Sequence, residues 1–267
     1  MSILTSIFKP GIINRFKHIT LKKEIRENIL CERGNLDEDF PSDFSESEKE
    51  NVASVKKMTM TSMERLVVLS RAIDHLVNQK IEGDIVECGV WRGGSMMLIA
   101  KKLRQLKEQS RNLYLFDTFE GMSEPSKEDV SAVDNQTAEN LLAKSDRLVG
   151  NNVWCYSALD EVKKNLQSTG YPLEKMHFIK GKVEDTLPEP SVGKIALLRL
   201  DTDWYESTKH ELENLYDKLV VGGILIIDDY GHWSGSKKAV DEFIENRGLK
   251  IFLHRIDYTG RIAIKNE

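Results

Sequence analysis

The chain has 267 residues, 40% of them hydrophobic and 30% charged, with a formal net charge of −5. That is the length of one large domain, or of one domain with an appendage, and the composition of an ordinary globular protein. The acidic balance argues against a nucleic-acid-binding protein, and no apolar run approaches the ~20 residues that span a bilayer. The start, MSILTSIFKPGIINRF, is interrupted by Lys9 and Pro10 and reads as a poor secretory signal. Cys31, Cys88 and Cys155 lie far apart without a CxxC pair. This excludes a zinc ribbon and a disulfide framework and fits a reducing cytoplasm.

Residues 1–23 carry Lys9, Arg15, Lys17, Lys22 and Lys23 and no acid. With Ile3, Leu4, Ile7, Phe8, Ile12, Ile13 and Phe16 interspersed, they read as an arm that packs on its own domain, or that meets an anionic surface or another subunit. Residues 24–50 reverse the charge with ten acids, and 35–50 read as a linker or mobile loop. Residues 1–55 are therefore expected to form an arm and acidic linker, and 56–267 the working domain.

From residue 61 the pattern becomes regular. Met63, Leu66, Val67, Leu69, Ile73, Leu76 and Val77 recur at helical spacing, which predicts a helix over 61–80 with a capping box from Thr61 and Glu64. A strand and turn (IEGDIVECGV), a helix (SMMLIAKKLRQLKEQ) and a strand (NLYLFDTF) follow. A polar loop runs to about residue 136, with helices over 138–148 and 158–168. Next come strands MHFIKG and KIALLRLD, a helix ESTKHELENLYDKL, and a strand in VGGILIIDDY after a Gly-Gly turn. A helix KKAVDEFIENRG closes at Gly248, and a hairpin turns over Tyr258, Thr259 and Gly260. Alternating strands and helices predict an α/β three-layer sandwich, a mostly parallel sheet covered on both faces with an antiparallel hairpin at its edge.

In such sheets ligands bind beyond the carboxyl ends of the strands. Those ends carry Glu87-Cys88-Gly89-Val90-Trp91-Arg92-Gly93-Gly94-Ser95, then Asp117, then Asp201-Thr202-Asp203, and Asp228-Asp229. The glycines permit a tight turn and close approach of a ligand, and Ser95 is placed to cap the next helix. Trp91 stands where the dinucleotide fingerprint needs its second glycine, which disfavours a dehydrogenase. Glu87 suits a cationic or hydroxyl-bearing ligand, and Asp117 suits a vicinal diol such as a ribose. Asp201, Asp228 and Asp229 converge if their strands are neighbours, and three hard oxygen donors suit Mg²⁺ or a similar ion. The plainer alternative is that these aspartates cap helices or pair with Arg199 or Lys237. His232 reads as a general base, a substrate contact or an idle loop residue, and Cys88 as packing.

GDIVECGVWRGGS, LYLFDTFEGM, LLRLDTDWYEST and VGGILIIDDY, followed by KKAVDEF, together resemble the macrocin-type (TylF/MycF-like) sugar O-methyltransferases over roughly residues 56–250. The resemblance implies the class I S-adenosylmethionine methyltransferase fold, with a Rossmann-like seven-stranded sheet. It implies that Glu87, Cys88, Gly89, Val90, Arg92, Gly93 and Ser95 wrap the methionine part of S-adenosyl-L-methionine. Asp117 would hold the ribose, and the segment from Gly181 to 185 would flank the adenine. Asp201, Asp228 and Asp229 would hold the divalent metal, Asp201 would also accept the proton, and Asp203 would be a supporting acid. The acceptor is then a small-molecule sugar or glycoside, and the protein a homo-oligomer. Two alternatives stay open: the same fold methylating a catechol-like or other small diol, and a non-catalytic nucleotide-binding module.

Overall fold

The computed structural model describes residues 40–147 and 152–267. Pro41–Glu267 form one compact unit, which carries the sheet and the site. The basic arm and the first part of the acidic stretch lie outside the described residues.

Residues that read as the tail of a loop open a helix instead. Helix α1 (Glu46–Val55) starts on a full capping box, in which Ser45 and Glu48 exchange side-chain and backbone bonds. The polarity of 35–50 conceals it, because capping residues are themselves the polar residues of loops. Helix α2 (Met63–Asn78) is capped by Ser62, one residue later than the predicted Thr61 box. Its buried stripe is Leu66, Val67, Leu69, Ser70, Ala72, Ile73 and Leu76.

Strand β1 (Asp84–Cys88) leads into α3 (Gly94–Gln105), and β2 (Leu113–Asp117) into the loop 118–137. Short α4 (Ala138–Ala143) and α5 (Leu159–Gln167) precede β3 (Met176–Lys180) and the single turn α6 (Val183–Thr186). Then come β4 (Ile195–Leu200), α7 (Tyr205–Leu215), β5 (Leu219–Ile227) and α8 (Ser234–Arg247). The chain ends in β6 (His254–Arg255) and β7 (Arg261–Ile264). Strand β5 runs straight through Gly222 and Gly223 rather than starting after them, with Gly222 at φ +82°. The predicted helix over 138–148 is confined to its first six residues.

The seven strands order as β3-β2-β1-β4-β5-β7-β6, parallel except for β7, which pairs antiparallel with β5 and β6. The chain reverses its direction of winding between β1 and β4, and a crevice opens at such a switch point. Helices α1, α2, α3 and α5 pack as one group and α6, α7 and α8 as another. Side chains alternate along each strand. Val86, Cys88, Phe116, Leu198, Leu200, Leu225 and Ile227 pack in one apolar cluster with Leu212 and Leu215 of α7 and Val240 and Phe243 of α8. The intervening residues of β1 and β4 include Glu87 and Arg199, which are register partners on these adjacent strands. Gly94, at the start of α3, lies under the segment joining α1 to α2: a β-carbon there would stand 2.5 Å from the Met58 carbonyl oxygen. Among the described residues no helix is long and apolar enough to cross a membrane.

Candidate active site

The site lies where β1, β2, β4 and β5 end. Gly89 sits at φ +82°, and a β-carbon on it would overlap the Asp201 carbonyl oxygen. The end of β1 and the residue after β4 therefore touch backbone to backbone. Trp91 (φ 47°), Phe119 (φ 51°) and Asp203 (φ 67°) also take left-handed backbone, so strained residues cluster at these tips.

Asp117 holds the turn after β1. Its Oδ2 accepts the amides of Val90 at 2.6 Å and Trp91 at 3.0 Å, and its Oδ1 accepts that of Phe119 at 2.6 Å. Burial pushes this carboxyl up against the three amides that favour its charge. Helix α3 begins on Gly93 in the left-handed region with no side-chain cap, so Ser95 is not the cap that the sequence suggests. Ser95 is buried in the first turn. Arg92 pairs with Glu161 of α5 at 3.1 Å and lies over the Trp91 ring. Cys88 is buried, with its thiol pushed up by that burial. Gly181, at φ 145°, leads from β3 into α6 and donates its amide to the Asp117 carbonyl. Two buried polar atoms at the turn have no partner: Glu87 Oε2 and Trp91 Nε1. A buried carboxylate oxygen and a ring N–H left open are costly unless a ligand meets them.

Asp201, Asp228 and Asp229 converge, each offering one carboxylate oxygen within 4.8 Å of the others. Arg199 stands behind them. Its Nη1 donates to Glu87 Oε1 and Asp201 Oδ2, both at 2.7 Å, and its Nη2 to Asp228 Oδ1 at 2.7 Å and Thr61 Oγ1 at 3.1 Å. Arg65 of α2 pairs with Asp228 Oδ2 and, at 2.9 Å, with Asp257 of the terminal turn. The pairing with Arg199, the plainer reading of these aspartates, thus occurs alongside the convergence. Lys237 instead pairs with Asp241.

The charge does not balance. Six acids, Glu87, Asp201, Asp203, Asp228, Asp229 and Asp257, share this cluster with only the two guanidiniums of Arg65 and Arg199. Burial and then the neighbouring acids push Asp201 and Asp229 well above the carboxylate range, and Asp203 to about 7. Asp228 goes the other way: burial would raise it, but Arg199 and Arg65 outweigh burial and hold it low. Excess hard oxygen donors in one buried cluster fit a divalent cation. The Asp201 side chain is 27% exposed against 4% for Asp228, so the open side of the cluster is at Asp201.

Loop 118–137 and the C-terminal turn are tied to the segments that follow β4 and β5. Buried Asp129 accepts the Ser126 amide at 2.6 Å and the Tyr205 amide at 2.7 Å, which ties the loop to the start of α7. Trp204 and Trp233 meet edge to face at 4.9 Å. His232 shares a hydrogen bond with the Tyr258 hydroxyl at 3.0 Å. Sequence reasoning misses Arg65, Asp257 and Asp129 as members of the site. For Arg199 the signal is present, a charge inside the apolar run IALLRL. For Arg65 nothing local distinguishes it from any polar residue of an amphipathic helix.

The profile of the macrocin-O-methyltransferase (TylF) family matches residues 14–264. The chain is 35% identical over 202 residues to the 8-demethyl-8-(2,3-dimethoxy-alpha-L-rhamnosyl)-tetracenomycin-C 4'-O-methyltransferase of Streptomyces olivaceus, covering 76% of this chain and 73% of that protein. It is 35% identical over 206 residues to the demethyldecarbamoylnovobiocin O-methyltransferase of Streptomyces niveus, with the same shares covered. Among solved structures, the O-methyltransferase NovP superposes with a TM-score of 0.68 at 31% identity, over 79% of this chain and 83% of that one. The calicheamicin methyltransferase CalS11 shares the fold, with a TM-score of 0.59 at 17% identity over 94% of this chain and 93% of that one. With this fold and these relatives, the chain is an O-methyltransferase and belongs to the macrocin-O-methyltransferase (TylF) family.

Proposed function

We propose that the protein transfers a methyl group from S-adenosyl-L-methionine to a hydroxyl of a sugar or glycosylated small molecule, assisted by Mg²⁺ or a similar cation. One observation carries the reading. Three carboxylates lie within 4.8 Å at the strand tips, beside a glycine turn with an open buried carboxylate oxygen at Glu87. The sugar acceptor is supported by the relative of Streptomyces olivaceus, whose name specifies a rhamnosyl-bearing molecule.

A sugar hydroxyl is a weak acid and a poor nucleophile. Asp201, Asp228 and Asp229 would hold the divalent cation, which would supply Lewis acidity toward an alcohol oxygen. Asp201, the open member of the three, is positioned to accept the hydroxyl proton. Asp117 shapes the turn through three amides and keeps one acceptor position, on Oδ1, for a ribose hydroxyl, and Glu87 Oε2 is an acceptor for an ammonium group. Gly89, Gly93 and Gly94 let the turn close, since a β-carbon on them would meet Asp201, Leu166 and Met58 respectively. Orientation of this kind supplies on the order of 7–11 kcal/mol in well-aligned systems.

The test is a mass-spectrometric methyl-transfer screen over glycosides with free vicinal hydroxyls, with Mg²⁺ or with chelator. Metal-dependent methylation of a glycoside is expected. Full turnover in chelator would remove the cation from the scheme, and turnover of catechols with glycosides refused would replace the acceptor class.

A further inference from the structure

Arg199 is 2% exposed and sits in the middle of a parallel sheet, where an isolated charge is costly. Four partners converge on its two terminal nitrogens, from three strand tips and from Thr61 before α2. One partner, Glu87, belongs to the turn assigned to the cofactor; two others, Asp201 and Asp228, belong to the acidic cluster. Glu87 uses one oxygen on Arg199 and leaves the other open. No other side chain among the described residues bonds to both groups.

We infer that Arg199 is a positioning residue that couples the cofactor turn to the acidic cluster, so that occupancy of one side tightens binding on the other. This rests on the proposed methyl-transfer function. A ligand on Glu87 Oε2 fixes that carboxylate, which fixes the guanidinium, which in turn fixes Asp201 Oδ2 and Asp228 Oδ1 at the spacing Arg199 dictates. The planar fork of arginine spans the three acids at once, whereas the point charge of a lysine satisfies one or two of them. The coupling is reciprocal by linkage.

The experiment is calorimetric titration of the full chain with Mn²⁺, with and without saturating S-adenosylhomocysteine, for the native protein and for Arg199→Lys. The native protein is expected to bind Mn²⁺ about fivefold more tightly with S-adenosylhomocysteine present, and the lysine variant to show a ratio of about one. A merely structural role for Arg199 would lower the melting temperature without abolishing that ratio. A native ratio of about one, or an unaltered ratio in Arg199→Lys, overturns the inference. If the native protein binds no Mn²⁺, the proposed metal site has failed. The remaining arm then decides: Arg199→Lys is expected to weaken S-adenosylhomocysteine binding about tenfold, and unchanged affinity overturns the coupling. Should the lysine variant not fold, Thr61→Val keeps every charge and removes one acceptor. It is expected to cut the ratio to about half, and an unaltered ratio counts against the inference.

Discussion

Gly89 and Asp201 meet so closely that a single added carbon on the first would occupy the carbonyl oxygen of the second. Two strand tips, one belonging to the glycine turn after β1 and one to the acidic cluster, are therefore locked at backbone distance. Gly89→Ala carries both the clash and a left-handed φ of +82°, which alone costs about 1–3 kcal/mol. The variant is expected to show a lowered denaturation midpoint and loss of methyl transfer, measured by urea melts and product formation. Wild-type stability in that variant would mean the tips separate freely.

Asp117 satisfies three backbone amides of the two turns it joins. Asp117→Ala leaves all three without that acceptor, whereas Asp117→Asn keeps one oxygen. Expected is weaker S-adenosylhomocysteine binding in both, by about tenfold or more in the alanine variant, with stability down by about 1–3 kcal/mol. Calorimetry and denaturant melts check the pair; unchanged affinity in Asp117→Ala would sink the ribose and turn assignments together.

Asp228 is the acid that both guanidiniums share. In Asp228→Asn two buried cations lose their common counter-charge, and breaking such a pair costs about 3–5 kcal/mol. Methyl transfer is expected to disappear and the melting temperature to fall. A variant as stable as the parent would show that Arg65 and Arg199 are compensated elsewhere.

Glu211 of α7 is wholly buried, with Oε1 accepting the Thr202 hydroxyl at 2.8 Å and Oε2 unpartnered. Burial pushes its carboxyl well above the value of 4.5 it has when unfolded. The folded state thus holds a proton that the unfolded state releases, so this group erodes stability as pH rises above 4.5 toward its folded value. Glu211→Gln has no proton to lose and is expected to show a flatter decline above pH 4.5 in urea melts. Parallel curves for the two proteins would show that Glu211 is not held neutral.

At the surface the sign reverses. Arg71 holds Glu48 down at about 2 through a side-chain bond, outweighing partial burial. Its contribution is present above pH 4.5 and is lost as pH falls through about 2. Glu48→Gln is expected to cost less than about 1 kcal/mol at pH 7, a deficit that closes on acidification below pH 4.5 in urea melts.

The sheet is legible because buried parallel strands read as apolar runs, and the tips because their glycines and acids interrupt those runs. IALLRL and ILIID locate β4 and β5 to within a few residues. Their neighbourhood, which brings Asp201 beside Asp228, follows only from the strand order. The cap of α3 is misread because a left-handed glycine at Gly93 takes the place a serine usually fills. Thr61 and Arg65 stay hidden because they reach Arg199 and Asp228 across 138 and 163 residues of chain. Asp257 enters the same way, meeting Ser62 across 195 residues. Such long-range pairings leave no local periodicity.

The carbonyl of Met58 resting over Gly94 has a bearing on where the polypeptide can be shortened. The stretch from α1 to Met58 is a cover over the first turn of α3, and it leads directly to Thr61 and Arg65. Truncation to Pro41 leaves that cover in place, whereas truncation to residue 60 strips the helix start beside the glycine turn and cuts Thr61 from the segment that anchors it upstream. A fragment that keeps this cover therefore begins before α1, not at the strand where the sheet begins.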